Sequence, residues 1–134
     1  MAHSPVYETE PVGVKPEHQQ LKFLNAVLIV ESDRTPADLH RALADIENEL
    51  GRVRNEDRFA PRAIDIDILF AGKDRYNEPR LKIPHPRWAE RRFVVQPLAD
   101  VRANLVLPGA EKTVKEILRV LPPEPVVRLH SREW

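Results

Sequence analysis

The hydrophobic and polar positions along the chain predict short strands separated by helices and turns. Residues 21–32 and 64–70 are typical of strands. Within the first, Ala26–Val30 is apolar on both faces, which favours a central place in a sheet. Val6–Thr9 and Leu81–Ile83 predict shorter strands, and Val94–Leu98 predicts a strand or a buried turn.

Two helices are predicted from their caps and from apolar spacing. Thr35 is an N-cap before Pro36, and Gly51 ends the helix. Its apolar residues recur at helical spacing and predict one buried stripe: Leu39, Leu43, Ile46 and Leu50. Residues 113–121 predict a second helix with Val114, Ile117, Leu118 and Leu121 inward. We expect one domain, residues 1–121, followed by a loosely held extension at 122–134, because that segment is rich in proline and charge.

Two aspartates interrupt the apolar run at 64–70. Because a strand has period two, Asp65 and Asp67 share one face about 7 Å apart. Unpaired buried carboxylates are strongly disfavoured, so this face meets either solvent or cations. Carboxylates at this separation can share a pair of magnesium ions, which prefer oxygen ligands and phosphates. The exposed face of an ordinary edge strand remains the alternative.

Arginines precede this strand, and a polar residue opens the earlier one. Guanidinium groups match phosphate oxygens, although a solvated basic loop is the alternative and is favoured for Arg58. Asn25 must be hydrogen-bonded if buried, to backbone neighbours or to a ligand, with the backbone favoured. The arginines before the aspartates are Arg52, Arg54, Arg58 and Arg62.

Composition narrows the possible functions. Lysine plus arginine and aspartate plus glutamate both number 21, which argues against binding nucleic acid or anionic membranes through bulk charge. The sequence has no cysteine, so disulfides and thiolate chemistry are excluded. No apolar run suits a membrane span or a signal peptide, and we expect a cytoplasmic protein.

The segment Arg62–Leu69 resembles the signature of the 6-hydroxymethyl-7,8-dihydropterin pyrophosphokinase family of folate biosynthesis. The resemblance extends in order over roughly residues 4–121, which makes it specific. The other segments that carry it are Tyr7–Gly13, Phe23–Ala26, Gly51–Arg54, Pro84–Pro86 and Glu90–Phe93.

This resemblance implies a fold, a reaction and a set of residues. The fold would be α+β, a ferredoxin-like sandwich with an antiparallel-rich sheet and helices packed on it. The reaction would be pyrophosphoryl transfer from ATP to the pterin hydroxymethyl group, with two Mg²⁺ ions held by Asp65 and Asp67. Phosphate or nucleoside contacts would come from Arg52, Arg54, Arg62, His85 and Arg91. The catalytic residues would be Arg52, Arg54 and Arg62 together with the two aspartates. Pterin contacts would come from Thr9, Val12, Asn25, Phe59 and Phe93.

The sequence departs from the family pattern at its start. The family places a strand with a Gly-Ser-Asn turn, then a helix, before the segment matching Tyr7, whereas this sequence starts inside the second strand. We expect exposed or rearranged sheet edges, since Val126–Leu129 does not read as a replacement strand. Alternatives to the enzyme are a non-catalytic paralogue that binds nucleotide or pterin, and an oligomerisation module. Phe59 and Ala60 replace the frequent tryptophan and glycine.

Overall fold

A computed structural model describes residues 1–9, 23–51, 64–123 and 125–134. The chain divides into two compact units, one formed by Met1–Glu31 with Pro86–Trp134 and the other by Ser32–His85. All strand pairings between described residues are antiparallel and helices occur in both units, so the predicted α+β class is confirmed. Within the described ranges, no helix combines the length and hydrophobicity needed to cross a bilayer.

A three-stranded sheet forms one side of the first unit. Its central strand is β2 (Val6–Thr9), which pairs with β3 (Phe23–Asn25) on one edge and with β7 (Val127–Ser131) on the other. The prediction of a strand at Val6–Thr9 is therefore confirmed. The prediction of a loosely held C-terminal extension is wrong, because β7 pairs with all four residues of β2, with one register shift between Val6 and Tyr7. That pairing joins residues more than 115 positions apart, and local composition carries no signal for it.

The apolar run at 21–32 is not the single central strand that we predicted. Its described part forms β3 and then β4 (Leu28–Ile29), which pairs with β1 (Ala2–His3) and with no other described strand. Leu28 is 55% exposed. Ser4 explains the interruption between the two strands: its backbone N–H and its hydroxyl oxygen bond to Val27, whose side chain is buried. The chain therefore pairs with Ser4 at Val27, and β1–β4 follows a register one residue shifted from that of β2–β3.

Helix α2 (Arg92–Arg102) packs against this sheet and carries much of the core. It includes the residues Val94–Leu98, for which we predicted a strand or a buried turn, so that prediction is wrong. Pro97 suggested an end to regular structure because proline cannot donate the helical hydrogen bond. Burial outweighs this penalty, since Val95 and Leu98 are fully buried and Pro97 nearly so.

Helix α3 (Val114–Val120) follows the predicted pattern. Thr113 accepts a hydrogen bond from the Glu116 backbone N–H at 3.3 Å, and the Glu116 carboxylate accepts one from the Thr113 N–H at 3.0 Å. This reciprocal arrangement fixes the start of the helix. Val114 is fully buried against α2, as the spacing predicted.

The second unit contains helix α1 (Pro36–Leu50), whose limits match the sequence prediction. The Thr35 hydroxyl accepts from the Asp38 N–H at 3.1 Å, and Gly51 caps the other end. The predicted buried stripe is wrong for the described structure, in which no residue of α1 is fully buried and Ile46 and Leu50 are 43% and 53% exposed. Helical spacing reports one apolar face, but it does not report what covers that face.

Residues 64–70, predicted as a strand, belong to no hydrogen-bonded ladder in the described structure. An apolar run with polar alternation favours extended backbone, but a strand also needs a paired neighbour. A hairpin follows, formed by β5 (Tyr76–Glu78) and β6 (Leu81–Ile83). The predicted strand at Leu81–Ile83 is confirmed. A turn at 71–74 precedes the hairpin and is closed by a bond from the Asp74 N–H to the Ala71 carbonyl oxygen at 3.0 Å.

Candidate functional site

Thr9 and Asn25 form the first group of candidate site residues, in the first unit. Asn25 lies opposite Tyr7 and Thr9 lies opposite Phe23 in the β2–β3 ladder. The Asn25 amide nitrogen lies 3.5 Å from the Thr9 hydroxyl oxygen, a long and weak hydrogen bond. Thr9 is 4% exposed and Asn25 is half-buried. We favoured a backbone neighbour as the partner of Asn25, whereas its partner in the structure is the Thr9 side chain. This one weak bond uses little of the amide's capacity to donate and accept hydrogen bonds.

Tyr7 fixes the strand that carries Thr9, a role that the sequence analysis missed. Its side chain is buried, and its hydroxyl donates to the Asp100 carboxylate on α2. Desolvation by burial raises the pKa of Tyr7 to about 12, with a further contribution from Asp100, while Gln96 and Arg132 act in the opposite direction. Gln96 and Asp100 are four residues apart, so a helical interpretation of this segment would have placed them on one face.

Arg91 and Phe93 form the second group, at the start of α2. The Arg91 carbonyl accepts bonds from the N–H groups of Val94 and Val95, both at 2.9 Å, so Arg91 is the helix N-cap. Its guanidinium carbon lies 5.7 Å from the centre of the Phe93 ring, within the range of a cation–π contact. Phe93 is half-buried, so part of the ring remains open to a ligand.

The neighbouring Arg92 has a different role. Its guanidinium group donates to the carbonyl oxygens of Leu121 and Pro122, both at 3.0 Å. These bonds tie the start of α2 to the end of α3. Of the two adjacent arginines, Arg92 is therefore a structural residue, whereas Arg91 lies beside the aromatic ring.

Asp65 and Asp67 belong to the second unit. Both are exposed, and the residues that follow them, Ile66 and Ile68, are half-buried. This alternation in burial agrees with the expected separation of carboxylates from apolar side chains, although the segment joins no ladder with the described strands. Both acids therefore face an environment from which water and ions can reach them.

His85 is tied to the same segment. Its backbone N–H donates to the Leu69 carbonyl oxygen at 2.8 Å, and its side chain is half-buried. Leu69 is two residues beyond Asp67, a distance of at most about 7 Å along the backbone. The bond therefore holds the loop of His85 near the aspartates, two parts of the sequence that the resemblance assigned to one nucleotide site.

The remaining predicted site residues lie outside the described residues, and they are Val12, Arg52, Arg54, Phe59 and Arg62. Within the described residues, each unit holds its own part of the predicted set. Thr9, Asn25, Arg91 and Phe93 are in the first unit, and Asp65, Asp67 and His85 are in the second.

The carboxylates of Asp65 and Asp67 can be compared with the ligands that the predicted magnesium ions require. No group of three or more histidine, aspartate or glutamate side chains in the described ranges could hold a metal ion. Magnesium bound with a nucleotide commonly takes one or two protein carboxylates and completes its six ligands with phosphate and water oxygens. The exposed pair Asp65 and Asp67 is chemically suited to that arrangement, though not to a cage made of protein ligands alone.

Comparison with known proteins identifies the family. The model of the 7,8-dihydro-6-hydroxymethylpterin-pyrophosphokinase family matches residues 1–103. A 2-amino-4-hydroxy-6-hydroxymethyldihydropteridine pyrophosphokinase from Pseudomonas aeruginosa is 40% identical over 129 residues, which is 96% of this chain and 76% of that protein. The Bacillus subtilis protein of the same name is 42% identical over 98 residues, which is 73% of this chain and 56% of that protein.

A plant relative extends the similarity to a larger protein. A folate synthesis bifunctional protein from Arabidopsis thaliana is 46% identical over 99 residues, which is 74% of this chain and 20% of that protein. The match of the family model over most of the chain, together with the relative from Pseudomonas, confirms the resemblance first seen at Arg62–Leu69. The chain belongs to the 7,8-dihydro-6-hydroxymethylpterin-pyrophosphokinase family.

Proposed function

We propose that this protein transfers pyrophosphate from ATP to the hydroxymethyl group of 6-hydroxymethyl-7,8-dihydropterin and releases AMP, a step of folate biosynthesis. The observation that carries this proposal is the family match over residues 1–103, with relatives named for the same reaction at 40% identity or more. We take residues 1–121 as the catalytic domain, with its three-stranded sheet completed by β7.

The chemistry requires positioning and charge neutralisation. The hydroxymethyl oxygen attacks the β-phosphorus of ATP and forms the new O–P bond. The bond from that phosphorus to the oxygen bridging the α- and β-phosphates breaks, AMP keeps the bridging oxygen, and the hydroxyl proton passes to solvent. Orientation of the reactants and stabilisation of phosphate charge supply most of the rate enhancement in such transfers.

The first unit would bind the pterin. Asn25 can donate and accept hydrogen bonds along the edge of a flat heterocycle, and Thr9 beside it adds a hydroxyl. Phe93 would stack on the ring through its open face, with Arg91 on the same aromatic side chain and available to phosphate. Val12 and Phe59 complete the proposed pterin contacts.

The second unit would bind the triphosphate and its metal ions. Asp65 and Asp67 would hold two Mg²⁺ ions, which when bound neutralise the charge of the phosphates. His85, fixed by its backbone bond to Leu69, would contact the triphosphate or the nucleoside. The catalytic arginines in this proposal are Arg52, Arg54 and Arg62.

The test is AMP formation from ATP, magnesium and the hydroxymethyl pterin. We expect AMP and the pterin diphosphate in equal amounts, with no AMP when either the pterin or magnesium is omitted. A folded chain that makes no AMP above background would overturn the proposal. Separate titrations of ATP–magnesium and pterin would then distinguish a binding protein from one that binds neither ligand.

Self-association is a separate proposal. In the described structure β3 and β7 are the outer strands of the three-stranded sheet, and the unpaired groups of an outer strand can pair with another chain. We infer that an oligomer, if it forms, uses one of these edges. Light scattering over a range of protein concentrations tests this, and a mass that stays at one chain would exclude it.

A further inference from the structure

The C-terminal segment is attached to the strand that carries the candidate pterin residues. In the β2–β7 ladder Thr9 lies opposite Val127 and Tyr7 lies opposite Leu129. Among the described residues, the β2–β3 ladder on the other edge contains three residue pairs. Two-stranded sheets of this size are marginally stable in water and need a third strand or packing against a helix. Here β7 supplies a third strand and α2 supplies the helix, so β7 contributes to the order of β2 and β3.

Trp134 fastens the end of this segment. Ser131 and Glu133 close a tight turn after β7, through bonds of 2.8 and 3.2 Å that involve the Ser131 hydroxyl. The turn brings the indole N–H of Trp134 to the Ser4 carbonyl oxygen at 2.6 Å. The indole also makes an edge-on contact with the His3 ring, with ring centres 4.9 Å apart.

Ser4, which accepts the Trp134 hydrogen bond, is itself hydrogen-bonded to a residue close to Asn25 in the chain. Ser4 is fully buried, its N–H donates to the Val27 carbonyl at 2.9 Å, and its hydroxyl accepts from the Val27 N–H at 2.9 Å. Val27 follows Asn25 by two residues. A continuous set of hydrogen bonds thus runs from the last residue of the chain to the backbone beside the candidate pterin amide.

We propose that residues 127–134 hold the Thr9–Asn25 pair in its binding geometry, with Trp134 as a positioning residue. This rests on the proposed function, since it assigns the pair to the pterin. Loss of Trp134 releases the end of β7 and loosens β2 at Thr9 and the backbone next to Asn25. The effect is selective because the second unit, which holds Asp65, Asp67 and His85, takes no part in these bonds.

The test compares Trp134→Ala and Trp134→Phe with the wild type in steady-state assays. We expect Trp134→Ala to raise the KM for the pterin about 5- to 10-fold, as expected for the loss of a hydrogen bond and its packing, with the KM for ATP within about twofold. Trp134→Phe keeps an aromatic ring but loses the donor, so its effect should be intermediate. Leu107→Ala is the control, because Leu107 is a core residue of the same unit and its loss reduces stability without removing the Trp134 bond.

Two results would overturn the inference: an unchanged pterin KM in both Trp134 variants, or equal increases for pterin and ATP. If Trp134→Ala does not fold, Trp134→Phe decides alone. Hydrogen exchange provides a readout independent of activity. We expect Trp134→Phe to speed exchange selectively at residues 6–9 and 23–25, whereas Leu107→Ala should speed exchange throughout the first unit. If the wild type makes no AMP, the proposed function fails, whereas the exchange result still supports or refutes the positioning role.

Discussion

Asn25 lies directly opposite Tyr7 in the β2–β3 ladder, and Tyr7 is hydrogen-bonded to Asp100 on α2. Paired residues of an antiparallel ladder project on the same face of the sheet. The candidate pterin amide and the tyrosine therefore share the face that packs against α2. A substitution that breaks the Tyr7–Asp100 hydrogen bond should therefore affect pterin binding as well as the stability of the fold.

Replacement of Asn25 should weaken pterin binding selectively. We expect Asn25→Ala to raise the KM for the pterin on the order of 10-fold or more, because the amide supplies both donors and acceptors to the ring edge. The KM for ATP should change little. Asn77→Ala is the matched control, since Asn77 is an exposed hairpin residue that bonds to Lys82. Equal effects of the two substitutions would contradict the assignment of Asn25.

Replacement of Phe93 should show whether the ring stacks on the pterin. We expect Phe93→Ala to weaken pterin binding about 10-fold, in line with the strength of stacking between bases and aromatic side chains, and Phe93→Tyr to retain most of it. The measurement is a direct titration of the pterin into each variant. If Phe93→Leu binds as tightly as the wild type, an aromatic ring is not required and the stacking role is wrong.

Replacement of Asp67 should separate turnover from pterin binding. We expect Asp67→Ala to reduce kcat on the order of 100-fold or more, since its carboxylate would hold the ions that neutralise phosphate charge. Pterin binding, measured without nucleotide, should remain largely intact. Asp74→Ala removes an exposed carboxylate from the turn that follows the same segment and should leave kcat unchanged. Parallel loss of turnover and of pterin binding would instead indicate a structural role for Asp67.

The raised pKa of Tyr7 predicts a loss of stability at alkaline pH. The pKa of Tyr7 is about 12 in the folded protein and near 10 in the unfolded chain, so folding favours the protonated hydroxyl. This contribution is fully present below pH 10 and disappears as the pH rises from 10 to 12. Tyr7→Phe should therefore be less stable than the wild type at pH 9, and the difference should shrink over that window.

Denaturant unfolding at several pH values measures this difference. Tyr76→Phe, which removes the other of the two tyrosines, is the matched control and should keep the wild-type loss between pH 10 and 12. A constant difference between Tyr7→Phe and the wild type from pH 8 to 12 would show that protonation of Tyr7 contributes nothing to folding.

Local signals predicted some elements well. The limits of α1 and the start of α3 follow from Thr35, Gly51 and Thr113, because a cap is made by residues within a few positions of one another. The family signature at Arg62–Leu69 is equally local, and it indicates the family without knowledge of the fold. Such features can be recognised in sequence since the groups that interact are close along the chain.

Elements that depend on distant partners were missed. β7 exists because it pairs with β2, and α2 persists across Pro97 because Val95 and Leu98 are buried by the sheet and α3. The segment at 64–70 has the composition of a strand but lacks a ladder in the described structure. For the site, sequence supplied the residue types, but the Thr9–Asn25 contact and the Arg91–Phe93 contact required coordinates.

The hydrogen bond between His85 and Leu69 closes the base of the β5–β6 hairpin. The hairpin tip, Pro79 and Arg80, is exposed and lies at the opposite end of that ladder. The tip is therefore a suitable place to attach a label. A fluorophore or an affinity tag inserted there would be supported by the paired strands, and the His85–Leu69 bond would remain intact. Such a labelled protein could report nucleotide capture by a spectroscopic signal with its catalytic residues unaltered.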